Sequence, residues 1–334
     1  MNNYLYFFFF FFILVLFLKS NVIGHKLGVL SKPDFFRKLH KKPVPQVGGI
    51  ILFFVIIFLA IVDLNSVLLS LNGLLPNISI NKFFFFISFI LLFFIGFVDD
   101  RNNLNPKSKL ILFTLTAYIL IFSLSLTDKI YIKLSFYKNI DLFGFHNLIL
   151  IFIFVFIVNA FNMFDGLNLQ SSITFLIISA YITFYLDFQP LIMIIILFLL
   201  VFSYFNYKSY AFLGDSGVYL LTFIIFNYLL KIYQTESLKV TIDEFLILLI
   251  LPIFDSFRVF ISRLKEKKST LEGDRKHFHH LILNKLSYKS SIIIITIGIL
   301  MPILLYKVLN LGFFVSLTIF ILYYFLILRL KNLN

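Results

Sequence analysis

Eleven apolar runs follow one another through this chain, each 15 to 20 residues long and separated by polar breaks: 4–18, 48–64, 83–98, 109–126, 147–161, 172–188, 190–206, 217–233, 242–261, 290–308 and 311–329. A helix crosses the hydrocarbon core of a bilayer with about 20 apolar residues. In lipid the backbone must satisfy its own hydrogen bonds, which leaves helices and closed barrels. Runs of this length without period-two alternation predict helices. The expected fold is therefore all-α: a polytopic integral membrane helix bundle of about 11 transmembrane helices, with residues 1–334 as a single integral membrane domain. A chain that is 60% hydrophobic and holds 48 Phe could not bury that surface in one soluble core. Run 4–18 has neither a basic leader nor a small-residue cleavage site, so it reads as a retained first span.

There is no Cys, so disulfides, thiolate nucleophiles and Cys-based metal sites are excluded. The net charge of +13 suits nucleic acid or an anionic surface. In so apolar a chain it predicts loops against anionic lipid headgroups, with membrane lipid and no nucleic acid as partner. With eleven spans, roughly three-quarters of the 29 Lys and Arg fall in the loops after odd-numbered spans and in the C-terminus. By the positive-inside rule those loops are cytoplasmic, the N-terminus lies outside and the C-terminus is cytoplasmic.

Four polar stretches at span ends concentrate acidic and histidine residues, and all four fall on the expected cytoplasmic side. In the first, Asp99-Asp100, adjacent carboxylates repel, which raises one pKa or recruits a cation. Oxygen ligands of this kind suit Mg²⁺ with substrate phosphates. In the second, Asn159, Asn162 and Asp165 are spaced by three on one helical face before Gly166, a polar wall that fits either a ligand or a neighbouring helix. In the third, Gly214-Asp215-Ser216-Gly217 opens a span. Its free N–H groups suit a phosphate or carboxylate, unless Asp215 or Ser216 serves as N-cap.

The fourth stretch follows Arg275 and Lys276: His277, His279 and His280 fit a loop that binds Zn²⁺, acts as acid or base, or holds phosphate when protonated. Lys109 could neutralise Asp99 or Asp100 or snorkel to the interface. Asp255 and Arg258, one turn apart in a span, form an internal ion pair behind the site or belong to a transport path. Segment 32–49, with Arg37, His40, Pro43, Pro45, Gly48 and Gly49, is a rigid basic loop that either steers anions or anchors to the membrane.

Taken in order, Arg37…His40-x-x-Pro43-x-Pro45-x-x-Gly48-Gly49, Asp99-Asp100, Asn159-x-x-Asn162-x-x-Asp165-Gly166, Gly214-Asp215-x-Gly217 and His277-x-His279-His280 closely resemble the polyprenyl-phosphate N-acetylhexosamine-1-phosphate transferases of the WecA and MraY type. The His-x-His-His spacing is nearer the WecA branch. The resemblance implies a single transferase domain in the inner (plasma) membrane with a cytoplasmic active site. It implies transfer of sugar 1-phosphate from a UDP-N-acetylhexosamine to polyprenyl (undecaprenyl) phosphate, with release of UMP, as the first step of a lipid-linked glycan. It also implies Mg²⁺ as cofactor, with Mn²⁺ as substitute, and is compatible with a homodimer. The expected catalytic residues are Asp99, Asp100, His279 and His280. Lys109, Asn162, Asp165, Asn168, Arg275 and His277 are expected at substrate, and Asp215 and Asp165 at metal, with His279 and His280 holding phosphate as cations. A secondary transporter and an inactive lipid-phosphate binder are the competing readings. Two departures from the family pattern Asp-Gly-x-Asp/Asn-Gly-Leu and its Gly-Asp-x-Gly-Ser neighbour stand out: Leu169-Gln170 stands for Gly-Leu, and Val218 stands for Ser.

Overall fold

The computed structural model describes residues 3–33, 42–62, 79–124, 131–141, 144–186, 188–235, 240–267 and 275–330. Arg37, His40, Asp187 and Asp274 lie outside the described residues. α1 (Asn3–Leu18) bends by 59° into α2 (Ser20–Leu27). The short strands β1 (Leu30–Ser31) and β2 (Val44–Pro45) then pair antiparallel, Leu30 opposite Pro45. Helices follow in antiparallel succession: α3 (Gly48–Val62), α4 (Ser79–Asn102) and α5 (Pro106–Ser123). The hairpin β3 (Tyr131–Leu134) and β4 (Tyr137–Asp141) leads to α6 (His146–Phe164) and α7 (Gln170–Tyr181), which runs on as a π-helical turn over Ile182–Leu186. Next come α8 (Pro190–Tyr207) and α9 (Gly214–Thr235). α10 (Ile242–Leu248) and α11 (Ile250–Lys265) meet at 79°. α12 (Phe278–Leu283), α13 (Tyr288–Ile303) and α14 (Phe313–Arg329) complete the bundle.

Local chemistry sets several helix starts. Pro106 and Pro190 occupy first-turn positions, where a missing N–H costs nothing. The Asn105 side chain accepts from Lys107 N at 3.0 Å, and the Ser287 hydroxyl accepts from Ser290 N at 3.3 Å. α9 is the axis of the molecule. It packs on α3, α4, α6 and α7, and residues 216–233 along it are buried. Phe7, Phe11, Phe152 and Phe184 stand exposed on the outside of the bundle, as side chains facing lipid do.

The protein is a multi-pass helical membrane protein. Among the described residues six helices are long and apolar enough to cross, or eight if each bent pair counts as one span. The expected count of eleven is higher because Gly48–Val62, Gln170–Leu186 and Phe313–Arg329 are apolar but only 10–17 residues long. At 1.5 Å per residue such helices fall short of a core roughly 30 Å thick. Run 242–261, expected as one span, is broken at Leu249.

Candidate active site

The two adjacent aspartates at the end of α4 face different partners. Asp100 turns to the N-terminus of α9. Its Oδ1 accepts from Asp215 N at 2.7 Å and from Gln46 Nε2 at 3.1 Å. Its Oδ2 accepts from Ser216 N at 3.1 Å and Ser216 Oγ at 2.8 Å. A carboxylate from one helix thus caps the next, where free N–H groups and the helix dipole favour negative charge. Helices can approach this closely only without side chains. A Cβ on Gly96 or on Gly49 would overlap the Ser216 backbone. Gly48 N and Gly49 N donate to Phe212 O at 3.0 Å and Leu213 O at 2.8 Å, which locks the start of α3 to the loop before α9.

Asp99 is 3% exposed and turns inward. Its Oδ1 accepts from Leu104 N at 2.8 Å, and its Oδ2 accepts from Tyr219 Oη at 3.1 Å and pairs with Lys109 Nζ. Asp215 joins the same group, with Oδ2 at 3.6 Å from Lys109 Nζ and 3.4 Å from Tyr219 Oη. Two carboxylates therefore share one cation and one phenol. Tyr219 stands four residues after Asp215 on the same face of α9.

A second cluster is built on the turn after α6. Asn159 Nδ2 turns back to Val155 O at 2.8 Å, whereas Asn162 and Asp165 stand half-buried one and two turns further on. Asn168 Nδ2 donates to Ser209 Oγ at 2.8 Å, and Tyr288 Oη donates to Asn168 O at 2.8 Å. Leu169 has φ 68°, the left-handed conformation that suits glycine. Its N–H is held by Asn206 Oδ1 at 2.6 Å, and Asn206 Nδ2 holds Ala211 O at 3.1 Å. These bonds tie the turn to the loop that feeds α9. The His279 ring lies on Gly166, where any Cβ would overlap Nε2.

His277 Nδ1 lies 2.9 Å from Asp255 Oδ2, and Phe278 N donates to the same carboxylate at 3.0 and 3.1 Å. Tyr324 Oη donates to Asp255 Oδ1 at 2.6 Å, and Arg258 donates to Asp255 Oδ1 at 2.8 Å and to Tyr324 Oη at 2.6 Å. Asp255 is 1% exposed and fixes the start of α12 from behind, and His279 and His280, expected in a loop, lie in the first turn of that helix. His279 lies between its neighbours, with ring centroids 5.9 Å from His277 and 4.2 Å from His280. Arg275 stands exposed at the loop's edge.

Residues 82–233 match the sequence profile of glycosyl transferase family 4, a stretch that holds Asp99, Asp100, Lys109, Asn162, Asp165, Asn168 and Asp215. The undecaprenyl-phosphate alpha-N-acetylglucosaminyl 1-phosphate transferase of Salmonella typhi is 26% identical over 271 residues, 77% of this chain and 70% of that protein. The Thermotoga maritima protein of the same name is 28% identical over 288 residues, 85% of this chain and 83% of that one. That of Escherichia coli (strain K12) is 26% identical over 279 residues, 78% of this chain and 71% of its own length. Over residues 82–233 the chain resembles glycosyl transferase family 4. It is an enzyme, which replaces the transporter and inert-binder readings; Asp255 and Arg258 hold the histidine loop.

Several site expectations change with this geometry. Two N–H groups of the Gly214–Gly217 turn, those of Asp215 and Ser216, expected to suit a phosphate or carboxylate, receive the carboxylate of Asp100. Asp100 itself, expected among the catalytic groups, is spent on that cap, because four donors surround its two oxygens. Asn168, expected at substrate, directs its side chain to Ser209. Burial pushes the His279 imidazole down to about 3, with His280 adding to the effect. Without a bound anion the ring is therefore neutral. Burial pushes the Asp165 carboxyl up to about 6. Among the described residues no group of three or more His, Asp or Glu side chains is placed to hold a metal ion. Gln46, Tyr219, Gln170 and Asn206 went unsuspected. Of these only Tyr219 carried a sequence signal, its i,i+4 spacing from Asp215.

Proposed function

We propose that the protein transfers N-acetylhexosamine 1-phosphate from a UDP-N-acetylhexosamine to polyprenyl phosphate, releasing UMP. The relatives' names supply the acceptor and the sugar. The observation that carries the reading is the pair Asp99 and Asp215 facing one cation, Lys109 Nζ, at a helix end. An oxygen of the acceptor phosphate attacks the β-phosphorus of the donor, and the bond from that phosphorus to the bridging oxygen breaks, so UMP leaves with the electron pair. Both partners are anions, and the site must offset their repulsion.

The donor set fits Mg²⁺ or Mn²⁺. Two carboxylates converge where a cation already sits, and Mg²⁺ takes one or two carboxylates and completes its shell with phosphates and water. Asp99 and Asp215 would hold the metal, which when bound screens charge on the reacting phosphates. Lys109 keeps the two carboxylates together and then faces the phosphates. Tyr219 Oη sets the orientation of Asp99 and Asp215, and Asp100 sets the position of the α9 terminus that carries Asp215. Asn162 and Asp165 line the nucleotide side, Arg275 and His280 stand at the phosphates, and His279 donates to phosphate as a neutral ring.

All these groups gather at one end of the bundle, which we assign to the cytoplasm, where UDP-sugars are found. The short helices are then also spans. The helical stretch Gln170–Leu186 begins beside His279 and reaches Glu244 through Tyr181, at the opposite end of α10 and α11 from His277. The test is a panel of UDP-sugars with labelled polyprenyl phosphate and purified protein in vesicles. A lipid-linked sugar pyrophosphate from a UDP-N-acetylhexosamine supports the reading. A product with a single phosphate, or none from any UDP-sugar, sinks it.

A further inference from the structure

The two loop histidines present the same ring nitrogen, Nδ1, to opposite kinds of partner. His277 Nδ1 faces the Asp255 carboxylate at 2.9 Å, and a carboxylate can only accept, so Nδ1 carries a proton. His279 Nδ1 faces the Gln170 amide at 3.4 Å. An amide can donate or accept, but here its direction is set. Leu167 N donates to Gln170 Oε1 at 3.1 Å, so the oxygen is taken and the Nε2 amino group is the one that meets the imidazole. An amino group only donates. His279 Nδ1 must therefore be the acceptor, and the single proton of the neutral ring lies on Nε2, the atom that rests on Gly166 beside Asp165.

Gln170 is built into place. It is 1% exposed, its N–H bonds Leu167 O at 3.1 Å, and its carbonyl accepts from Thr174 Oγ1 at 2.7 Å. It opens α7 directly after Leu169, whose left-handed backbone turns the chain into the helix. Where the resembled pattern reads Gly-Leu, this chain reads Leu169-Gln170. A leucine there could not direct a tautomer.

We propose that Gln170 is a positioning residue that holds His279 as the Nε2–H tautomer, so that a neutral ring presents a fixed donor to a phosphate oxygen of the sugar nucleotide or acceptor lipid. The role at phosphate rests on the transferase reading above; the tautomer does not. The consequence is a division of labour. His277 Nδ1 is fixed on the Asp255 carboxylate, while His279 serves as a directional donor through Nε2.

The test is nitrogen NMR of ¹⁵N-histidine-labelled protein in lipid nanodiscs, with the His279→Gln variant identifying the His279 signals. The expected wild-type spectrum shows His279 with a protonated Nε2 and a bare Nδ1. In Gln170→Glu one carboxylate oxygen still accepts from Leu167 N, and the other now faces Nδ1 as an acceptor. The proton should move to Nδ1, and kcat/KM for the sugar nucleotide should fall by about tenfold or more. Gln170→Leu should lose the single tautomer and show both. A wild-type His279 protonated on Nδ1 overturns the proposal, as does a Gln170→Glu spectrum with the wild-type pattern. The wild-type spectrum alone suffices if either variant fails to fold. A spectrum as expected from protein that turns over no UDP-sugar would retire the transferase chemistry proposed above and leave the Gln170–His279 pairing standing.

Discussion

Asp100→Asn separates a capping role from a chemical one. The native carboxylate receives two backbone N–H groups from the start of α9, the Ser216 hydroxyl and the Gln46 amide. Asparagine keeps the shape but has one acceptor oxygen. If that oxygen stays with Asp215 N and Gln46, its amino group faces Ser216 N, donor against donor. One hydrogen bond to a charged group is then lost, at about 1.5–3 kcal/mol. The favourable term from a negative charge at a helix N-terminus, about 0.3–1 kcal/mol, goes as well. The sum is about 3 kcal/mol, which for a chain of this size lowers the melting temperature by roughly 4 °C. The assay is thermal unfolding in detergent, beside turnover at a temperature where both proteins are folded. Ser216→Ala should cost about 1 kcal/mol in the wild type and nearly nothing in Asp100→Asn, since the two groups share one bond. Full thermal stability in Asp100→Asn with turnover abolished would refute the capping account and return Asp100 to the reacting groups.

Further outcomes follow from the same geometry. Asp165 is held near 6 when folded against 3.8 otherwise, so its contribution to stability is present below pH 3.8 and lost as pH rises through about 6. With chelator present, Asp165→Asn, which cannot ionise, should melt above the wild type at pH 8 and level with it at pH 4; equal melting at both would contradict the burial. Leu169→Gly relieves a left-handed backbone costing roughly 1–2 kcal/mol and gives up about as much apolar contact. Its melting temperature should stay within a few degrees and activity should persist; a large loss in either would mean the leucine side chain itself shapes the turn. The chain has no native Cys. Thiols placed at Lys208 and at Tyr137, near opposite ends of the bundle, should label from the cytoplasmic and outer sides respectively, and reversed labelling would overturn the assigned orientation.

Much of the site was legible because membrane burial makes polar residues conspicuous. Asp99, Asp165, Asp215 and His279 stand out against Phe and Ile, and their positions at run ends located one end of the bundle. The division of tasks was not legible. Asp99 and Asp100 are neighbours in sequence, yet one side chain turns inward to Lys109 and the other outward to α9, a choice set by how α4 crosses α9 at Gly96. The charge on His279 depends on burial, which one sequence cannot show. Gln170 and Asn206 look like ordinary helix-end amides until their partners, far along the chain, are known. Hydropathy alone also hid the bend at Leu249, since a broken and a straight helix have the same composition.

The central claim is a phosphoryl transfer between two anions at Asp99 and Asp215, and the identity of the nucleotide released tests it most directly. Purified protein with UDP-N-acetylglucosamine, polyprenyl phosphate and Mg²⁺ should release UMP, one for each lipid product. Asp215→Asn, which keeps shape but removes a charge, should lose most of that release while melting like the wild type. Release of UDP, or UMP formed as fast by Asp215→Asn at saturating Mg²⁺, would contradict the account.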